Sequence, residues 1–183
     1  VSTTRQLDQE ISDRLLTAAQ VTNDVIVSTS VDLMMTMQFC ALDLGRGILY
    51  NVNAGHNFAM HFESGNATAR QLANSGSPLG CRAEPEFTVK VQQLAPNDII
   101  LLYTDGLIEN TSAIGETLRK RKLRDILIAS GTSADRVVEG ITTSAESIWD
   151  NHPSADDVTI LVIRYRGKSP TVAPVDGTTR RCA

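Results

Sequence analysis

The spacing of apolar and polar positions divides the chain into helical and extended stretches. Over residues 4–20, apolar residues recur at the three- and four-residue spacing of one helix face, which predicts an amphipathic helix. Residues 21–31 mix β-branched aliphatic side chains with Asn, Asp and hydroxyl residues, so we expect a connection or an irregular strand there. Helical periodicity returns over residues 116–129 and 133–149, where a Thr or Ser precedes the second helix as its cap.

Several shorter stretches have the β-branched and aromatic composition of strands. A glycine-containing turn at residues 43–47 separates the first two, which predicts a β-hairpin. Because the third follows closely, we expect an antiparallel meander, with a loop over residues 108–115. The strand-like stretches are residues 34–44, 48–52, 58–62, 87–91, 99–103 and 158–163. Strands and helices in separate runs predict an α+β fold, with antiparallel sheet and packed helices.

One apolar run, residues 99–103, leads into Asp105-Gly106. A continuous rather than alternating run predicts a strand that is covered on both faces. The run at 158–163 has the opposite arrangement, because it begins directly after Asp156-Asp157. If these strands are antiparallel neighbours, their carboxylates meet at one sheet edge, where clustered oxygen ligands suit Mg²⁺ or Mn²⁺. Taken singly, each dipeptide is also ordinary turn chemistry, and that alternative stays open.

Composition and charge narrow the classes of function. The chain has 183 residues, the size of one domain, and a formal net charge of −4, which gives no general attraction to nucleic acid. No apolar run approaches the roughly 20 residues of a membrane span. The three cysteines lack the paired spacing of a zinc site or disulfide framework, so we expect a cytoplasmic location. We assign residues 1–165 to a folded domain and the Gly-, Pro- and Thr-rich residues 166–183 to a flexible tail.

Four short motifs then stand in one order along the chain. They are Asn-Ala-Gly-His at 53–56, Gly-Ser-Pro-Leu-Gly at 76–80, Leu-Leu-Tyr-Thr-Asp-Gly at 101–106 and Ala-Asp-Asp-Val-Thr at 155–159. Together they resemble the C-terminal portion of the PP2C-like, metal-dependent Ser/Thr phosphatases of bacteria, in the SpoIIE/RsbU branch, over residues 4–164. The resemblance implies an α-β-β-α sandwich of antiparallel sheets with flanking helices, whose N-terminal part is missing here.

The same resemblance implies a metal centre and a reaction. Asp105, with Gly106, and Asp156 match the family's metal ligands, and Asp157 and His56 are candidates for positions behind those ligands. The implied centre holds two Mn²⁺ or Mg²⁺ ions, which activate a water for in-line attack on phosphorus without a covalent enzyme intermediate. The implied substrate is a phosphoserine or phosphothreonine on a bacterial regulatory protein, of the anti-sigma-factor-antagonist type.

The chain also departs from the family pattern. The family carries further metal ligands upstream, in a Gly-Gly-Asp-type strand and an Asp-x-x-Gly-x-Gly-type segment, and neither occurs in this sequence. We therefore expect residues upstream of Val1 to complete a catalytic domain, with an upstream sensor domain as a further expectation. The alternative is a catalytically degenerate module that binds a regulatory partner protein. A carboxylate-pair hydrolase such as a glycosidase is a third interpretation, supported only by the presence of two aspartates.

Several other features allow two interpretations. His56 is either an acid–base group or part of a strand-to-strand corner shaped by Gly55. Residues 76–80 either shape a loop or bring backbone amides to a phosphate, and Glu109 is either a carboxylate near the site or a loop charge. His61 and His152 have no partner that the sequence identifies. The basic run from Arg119 to Arg124 is either a solvated helix face or a docking patch for an acidic partner protein.

Overall fold

The computed structural model describes residues 2–29, 32–81, 83–112, 115–149 and 156–167. Within these ranges the helices are α1 (Ser2–Ser28), α2 (Gly106–Glu109), α3 (Lys120–Ser130) and α4 (Ala134–Trp149). The strands are β1 (Met37–Asp43), β2 (Ile48–Ala54), β3 (Met60–Glu63), β4 (Thr68–Gln71), β5 (Val89–Gln93), β6 (Ile99–Tyr103) and β7 (Ile160–Arg164). Residues 168–183 of the expected tail and His152 lie outside the described residues.

The strands form two antiparallel sheets with helices on their outer sides. One sheet has the order β1-β2-β5 and the other β4-β3-β6-β7, and every pairing in both is antiparallel. Helix α1 packs on the first sheet, whereas α3 and α4 pack on the second. The α+β class and the α-β-β-α sandwich expected from the sequence are therefore confirmed.

Strand β6 lies between two hydrophobic cores. Ile99, Leu101 and Tyr103 are buried in the core beneath α3 and α4. Ile100 is buried in the other core, with Leu49 of the first sheet. Because alternate side chains of a strand point to opposite faces, this division explains why β6 has a continuous apolar sequence. The expectation of a strand covered on both faces is confirmed.

Helix α1 is longer than its sequence pattern predicts. We expected a connection or irregular strand over residues 21–31, but the helix continues to Ser28. Tertiary contacts on its last turns explain the difference: the buried Asn23 accepts a hydrogen bond from the Gly80 amide at 2.9 Å, and Ile26 packs with Leu79. These contacts outweigh the weak helix preference of the β-branched residues in this stretch.

The expected meander is wrong at its third strand. β2 pairs with β1 and β5, whereas β3 belongs to the other sheet, so the chain crosses between the sheets after Ala54. The crossing begins at Gly55, whose φ of 71° is readily adopted by glycine. Strand β4 was not predicted at all.

The loop and the helix around residues 106–130 also differ from expectation. The predicted loop at 108–115 overlaps the single turn of α2, whose first amide, that of Gly106, donates to the Asp105 side chain. Helix α3 begins at Lys120 rather than at residue 116, because Thr117 pairs instead with Thr111 in an isolated antiparallel bridge. The hairpin of β1 and β2 forms as expected.

Candidate metal centre

The pairing of β6 with β7 brings the two aspartate motifs to one sheet edge. The antiparallel register places Tyr103, the last residue of β6, opposite Ile160, the first residue of β7. The contact continues beyond both strands, because the Thr104 amide donates to the Thr159 carbonyl oxygen at 3.1 Å. Asp105 follows one strand and Asp156 precedes the other, so both lie at this edge.

Gly106 is the point of closest approach between the two motifs. A Cβ atom at this position would lie 2.4 Å from the Asp157 carbonyl oxygen and 3.1 Å from that of Asp156. Real Cβ atoms do not approach backbone oxygen so closely, so only glycine fits without displacing the neighbouring segment. The Asp-Gly sequence thus sets the spacing between Asp105 and the Asp156-Asp157 pair.

Two side chains that the sequence analysis did not single out hold the segment before β7 in place. Asn110, which is buried, donates to the Asp156 carbonyl oxygen at 2.9 Å and accepts from the Asp156 amide at 3.1 Å. The Thr104 hydroxyl donates to the Asp157 carbonyl oxygen at 3.2 Å and accepts from the Thr159 amide at 2.8 Å. Both partners are distant in sequence, so no local pattern reveals these roles.

The carboxylates themselves are oriented by neighbouring backbone amides. Asp105 Oδ1 accepts from the Gly106 amide at 3.1 Å, and Asp156 Oδ1 accepts from the Asp157 amide at 2.8 Å. Asp105 is half-buried, whereas Asp156 and Asp157 are exposed. The site therefore combines an anchored carboxylate at the end of a core strand with two carboxylates open to solvent.

The donor chemistry fits part of a divalent-cation site. Asp105 and Asp156 offer the carboxylate oxygens that Mg²⁺ and Mn²⁺ prefer. Across the described ranges, however, no cluster of three or more His, Cys, Asp or Glu residues could hold a metal ion. A six-coordinate ion held by these two carboxylates would need its other ligands from water, substrate or residues outside those ranges.

His56 belongs to the corner between the sheets. Its Nδ1 atom lies 3.0 Å from the Thr36 hydroxyl, and its amide donates to Asn53 Oδ1 at 2.7 Å. Asn53 also donates to the His56 carbonyl oxygen at 2.9 Å, so the Asn-Ala-Gly-His turn is closed by its own first residue. These contacts support the corner interpretation, and they give no support to a role beside the carboxylates.

The glycine loop at residues 76–80 packs directly on this corner. A Cβ atom on Gly76 would lie 2.0 Å from the Asn53 carbonyl oxygen, and one on Gly55 would lie 2.6 Å from Pro78. Gly80 has a φ of 81° and donates its amide to α1. These contacts favour a structural explanation for the two glycine motifs, which hold α1, the corner and the first sheet together.

A buried contact between a histidine and an aspartate lies away from the aspartate edge. His61 Nε2 is 2.8 Å from Asp98 Oδ2, which gives His61 a partner that the sequence does not identify. Asp98 also accepts from the amides of Ser64 at 2.8 Å and Ala95 at 3.0 Å. Burial alone would raise the pKa of the Asp98 carboxyl, but these amides and His61 outweigh it and lower the pKa.

Among the described residues, no helix is both long and apolar enough to cross a membrane. Two antiparallel sheets between helices match the PP2C-like fold that the motifs led us to expect. The family model for Stage II sporulation protein E (SpoIIE) matches residues 2–166. The chain therefore belongs to the SpoIIE family of PP2C-like phosphatase domains, as its motifs predicted.

Individual relatives agree with this assignment. Protein IcfG of Synechocystis sp. is 26% identical over 157 residues, which cover 84% of this chain and 24% of IcfG. The structure of the RsbU and RsbW domains of Rv1364c from Mycobacterium tuberculosis is similar with a TM-score of 0.57 and 29% identity, over 73% of this chain and 37% of that one. The chain thus spans well under half the length of either protein.

A third similarity concerns the fold alone. The phosphatase domain of SpoIIE from Bacillus subtilis, in a crystal presoaked with Mn, matches with a TM-score of 0.58 at 13% identity. It covers 83% of this chain and 75% of that one. The sandwich architecture is thus shared across a distance at which little sequence identity remains.

Proposed function

We propose that this chain forms part of a metal-dependent protein phosphatase that hydrolyses phosphoserine or phosphothreonine on a bacterial regulatory protein. The observation that carries the proposal is the closure of β6 on β7, which places Asp105 and Asp156 at one sheet edge. Family membership supports the reaction class. The anti-sigma-factor-antagonist type of substrate is an extension from the SpoIIE/RsbU branch.

In this proposal Asp105 and Asp156 hold Mn²⁺ or Mg²⁺, and the Gly106 backbone contributes to the same site. Such ions, when bound, lower the pKa of a water and polarise phosphoryl oxygens. The chain's own residues fix the geometry: β6 anchors Asp105, and Asn110 fixes the backbone of Asp156 through two hydrogen bonds. Further ligands would come from water, the phosphoryl substrate or residues outside the described ranges.

The test is Mn²⁺-dependent release of phosphate from a phosphoserine protein by the full-length gene product. Asp105→Asn and Asp156→Asn are expected to lower kcat/KM by at least about a hundredfold, because each removes a charged oxygen ligand. Asp135→Asn is the matched control, since it neutralises an exposed aspartate in the first turn of α4, at the end far from Asp156. Retained activity in either aspartate variant would refute the proposed metal ligands.

A second candidate function is a phosphatase-like module that binds a regulatory partner without catalysis. The observation that favours it is that Asp105 and Asp156 are not joined by a third acidic, His or Cys ligand anywhere in the part of the chain that the structure describes. Calorimetric titration of the full-length protein with Mn²⁺ distinguishes the two candidates. Tight binding of two ions would contradict the degenerate module.

A further inference from the structure

A basic groove lies between α3 and α4. Its volume is about 690 Å³, within the usual range of ligand-binding clefts. One wall carries Arg119, Arg121 and Lys122 of the basic run. The other wall is formed by hydroxyl-bearing residues of α4, namely Thr143, Ser144 and Ser147. Cations facing neutral hydrogen-bonding side chains suit a ligand that is negatively charged and rich in acceptor oxygens.

Contacts among the described residues explain little of the basic run. Five of the chain's 17 Lys and Arg residues stand at positions 119–124, and all five are exposed. Over the described residues, only Arg124 among them has an acidic neighbour in ion-pair range, Asp125 at 3.6 Å. Cations in the first turn of a helix also oppose its dipole, so the run does not stabilise α3 itself.

The groove retains its positive character despite two acidic residues at its border. Glu116 and Asp125 also line it, so three basic residues face two acidic ones within the groove. Lys120 and Arg124, which are exposed on the same helix, add two further positive charges beside it. Elsewhere the chain is acidic enough that its net charge is −4. An acidic ligand is therefore attracted to this groove and repelled by much of the remaining surface.

The chain connects the groove closely to the aspartate edge. Helix α4, one wall of the groove, ends at Trp149, seven residues before Asp156. Seven residues span at most about 25 Å, so the C-terminal end of the groove lies within that distance of the candidate metal centre. An extended peptide of about seven residues beyond the groove is therefore long enough to reach the site.

We propose that the groove between α3 and α4 docks an acidic segment of the protein that this domain recognises, next to the site where its phosphorylated residue is processed. The proposal that an acidic segment docks here rests only on the shape and charge of the groove. Only the statement that the same partner is dephosphorylated rests on the proposed function.

The first test measures binding without metal or hydrolysis. The probe is a fluorescein-labelled, glutamate-rich peptide, with a glutamine-for-glutamate peptide as its neutral control, and fluorescence anisotropy gives Kd. Arg121→Glu combined with Lys122→Glu is expected to raise Kd for the acidic peptide by about tenfold or more, since attraction becomes repulsion. Arg5→Glu with Arg14→Glu on α1 makes the same change in net charge on the opposite layer and is expected to leave Kd within about twofold.

A second pair of variants tests the groove rather than its charge. Ser147→Trp fills the groove from its α4 wall with no change in charge and is expected to raise Kd for the acidic peptide. Ser147→Ala leaves the groove open and is expected to bind the peptide with the Kd of the parent. Equal losses in the α3 and α1 charge variants, or full binding by Ser147→Trp, would overturn the proposal.

The full-length protein separates this proposal from the phosphatase assignment. Arg121→Glu with Lys122→Glu is expected to raise KM for a phosphoprotein while leaving hydrolysis of p-nitrophenyl phosphate unchanged. Asp105→Asn is expected to abolish hydrolysis while leaving peptide binding intact. Loss of peptide binding in Asp105→Asn would contradict a docking site distinct from the aspartate edge, and inactivity of every form would refute only the phosphatase.

Discussion

At the residue scale, the candidate metal centre requires a glycine at position 106. Gly106→Ala is expected to lower the free energy of unfolding by about 1–3 kcal/mol, because its Cβ would overlap backbone oxygen that must move. It is also expected to lose metal-dependent activity in the full-length protein, since the displaced segment carries Asp156. Urea denaturation and phosphate release measure the two effects.

The control for this variant is Gly65→Ala. A Cβ at Gly65 would meet nothing within 4 Å, so stability and activity are expected to stay near those of the parent. If Gly106→Ala is as stable and as active as Gly65→Ala, then the close approach between the two aspartate motifs is not required.

Asp98 gives a prediction about pH. Its folded-state pKa lies below the ordinary value of 3.8, so ionised Asp98 stabilises the fold above that pH, and this stabilisation is lost as pH falls through the folded pKa. Asp98→Asn is therefore expected to flatten the decline in the free energy of unfolding between about pH 5 and pH 2. Urea titrations across this range measure it.

The other carboxyls with lowered pKa values, those of Asp8, Asp43 and Glu63, still titrate in that variant. The decline with acid is therefore expected to become shallower rather than to vanish. A pH profile parallel to that of the parent would show that the buried Asp98 cluster does not contribute to stability against acid.

At the element scale, the neighbouring strands β6 and β7 offer a matched comparison. Leu101 on β6 is fully buried, whereas Leu161 on β7 is 53% exposed. Leu101→Ala is expected to cost about 2–5 kcal/mol through lost burial and a cavity, and Leu161→Ala only about 0.5 kcal/mol or less. Urea denaturation compares the two, and equal costs would contradict the position of β6 between two cores.

The sequence predicts those elements whose hydrophobic pattern is complete within one continuous stretch. The hairpin of β1 and β2, the buried strand β6 and the amphipathic helix α4 each have a pattern within a single stretch. The end of α1 was missed because its helical state depends on Asn23 and Ile26, whose partners come from residues 54–80. The sequence does not predict strand β4, because only one of its four residues, Ala69, is buried and a single apolar position makes no pattern.

At the scale of the whole molecule, the features that the sequence does not predict are those that depend on contacts between residues far apart in the chain. The sequence could not show that β3 leaves the first sheet, since the crossing depends on how the glycine loop packs on the Asn53 corner. The sequence predicts the aspartate edge only on the condition that the two strands are antiparallel neighbours, and the pairing of β6 with β7 meets that condition. The sequence does not predict the role of Asn110, because its contact with Asp156 spans 46 residues.

We propose that Asp105 and Asp156 are ligands of one common metal site. The most direct test of this proposal is a double-mutant cycle on Mn²⁺ affinity, in which electron paramagnetic resonance counts free Mn²⁺ for the parent, Asp105→Asn, Asp156→Asn and the double variant. Either single change is expected to weaken Mn²⁺ binding by about tenfold or more, and the second change is expected to add much less than the first. Unchanged affinity in both single variants, or fully additive losses, would contradict a shared site.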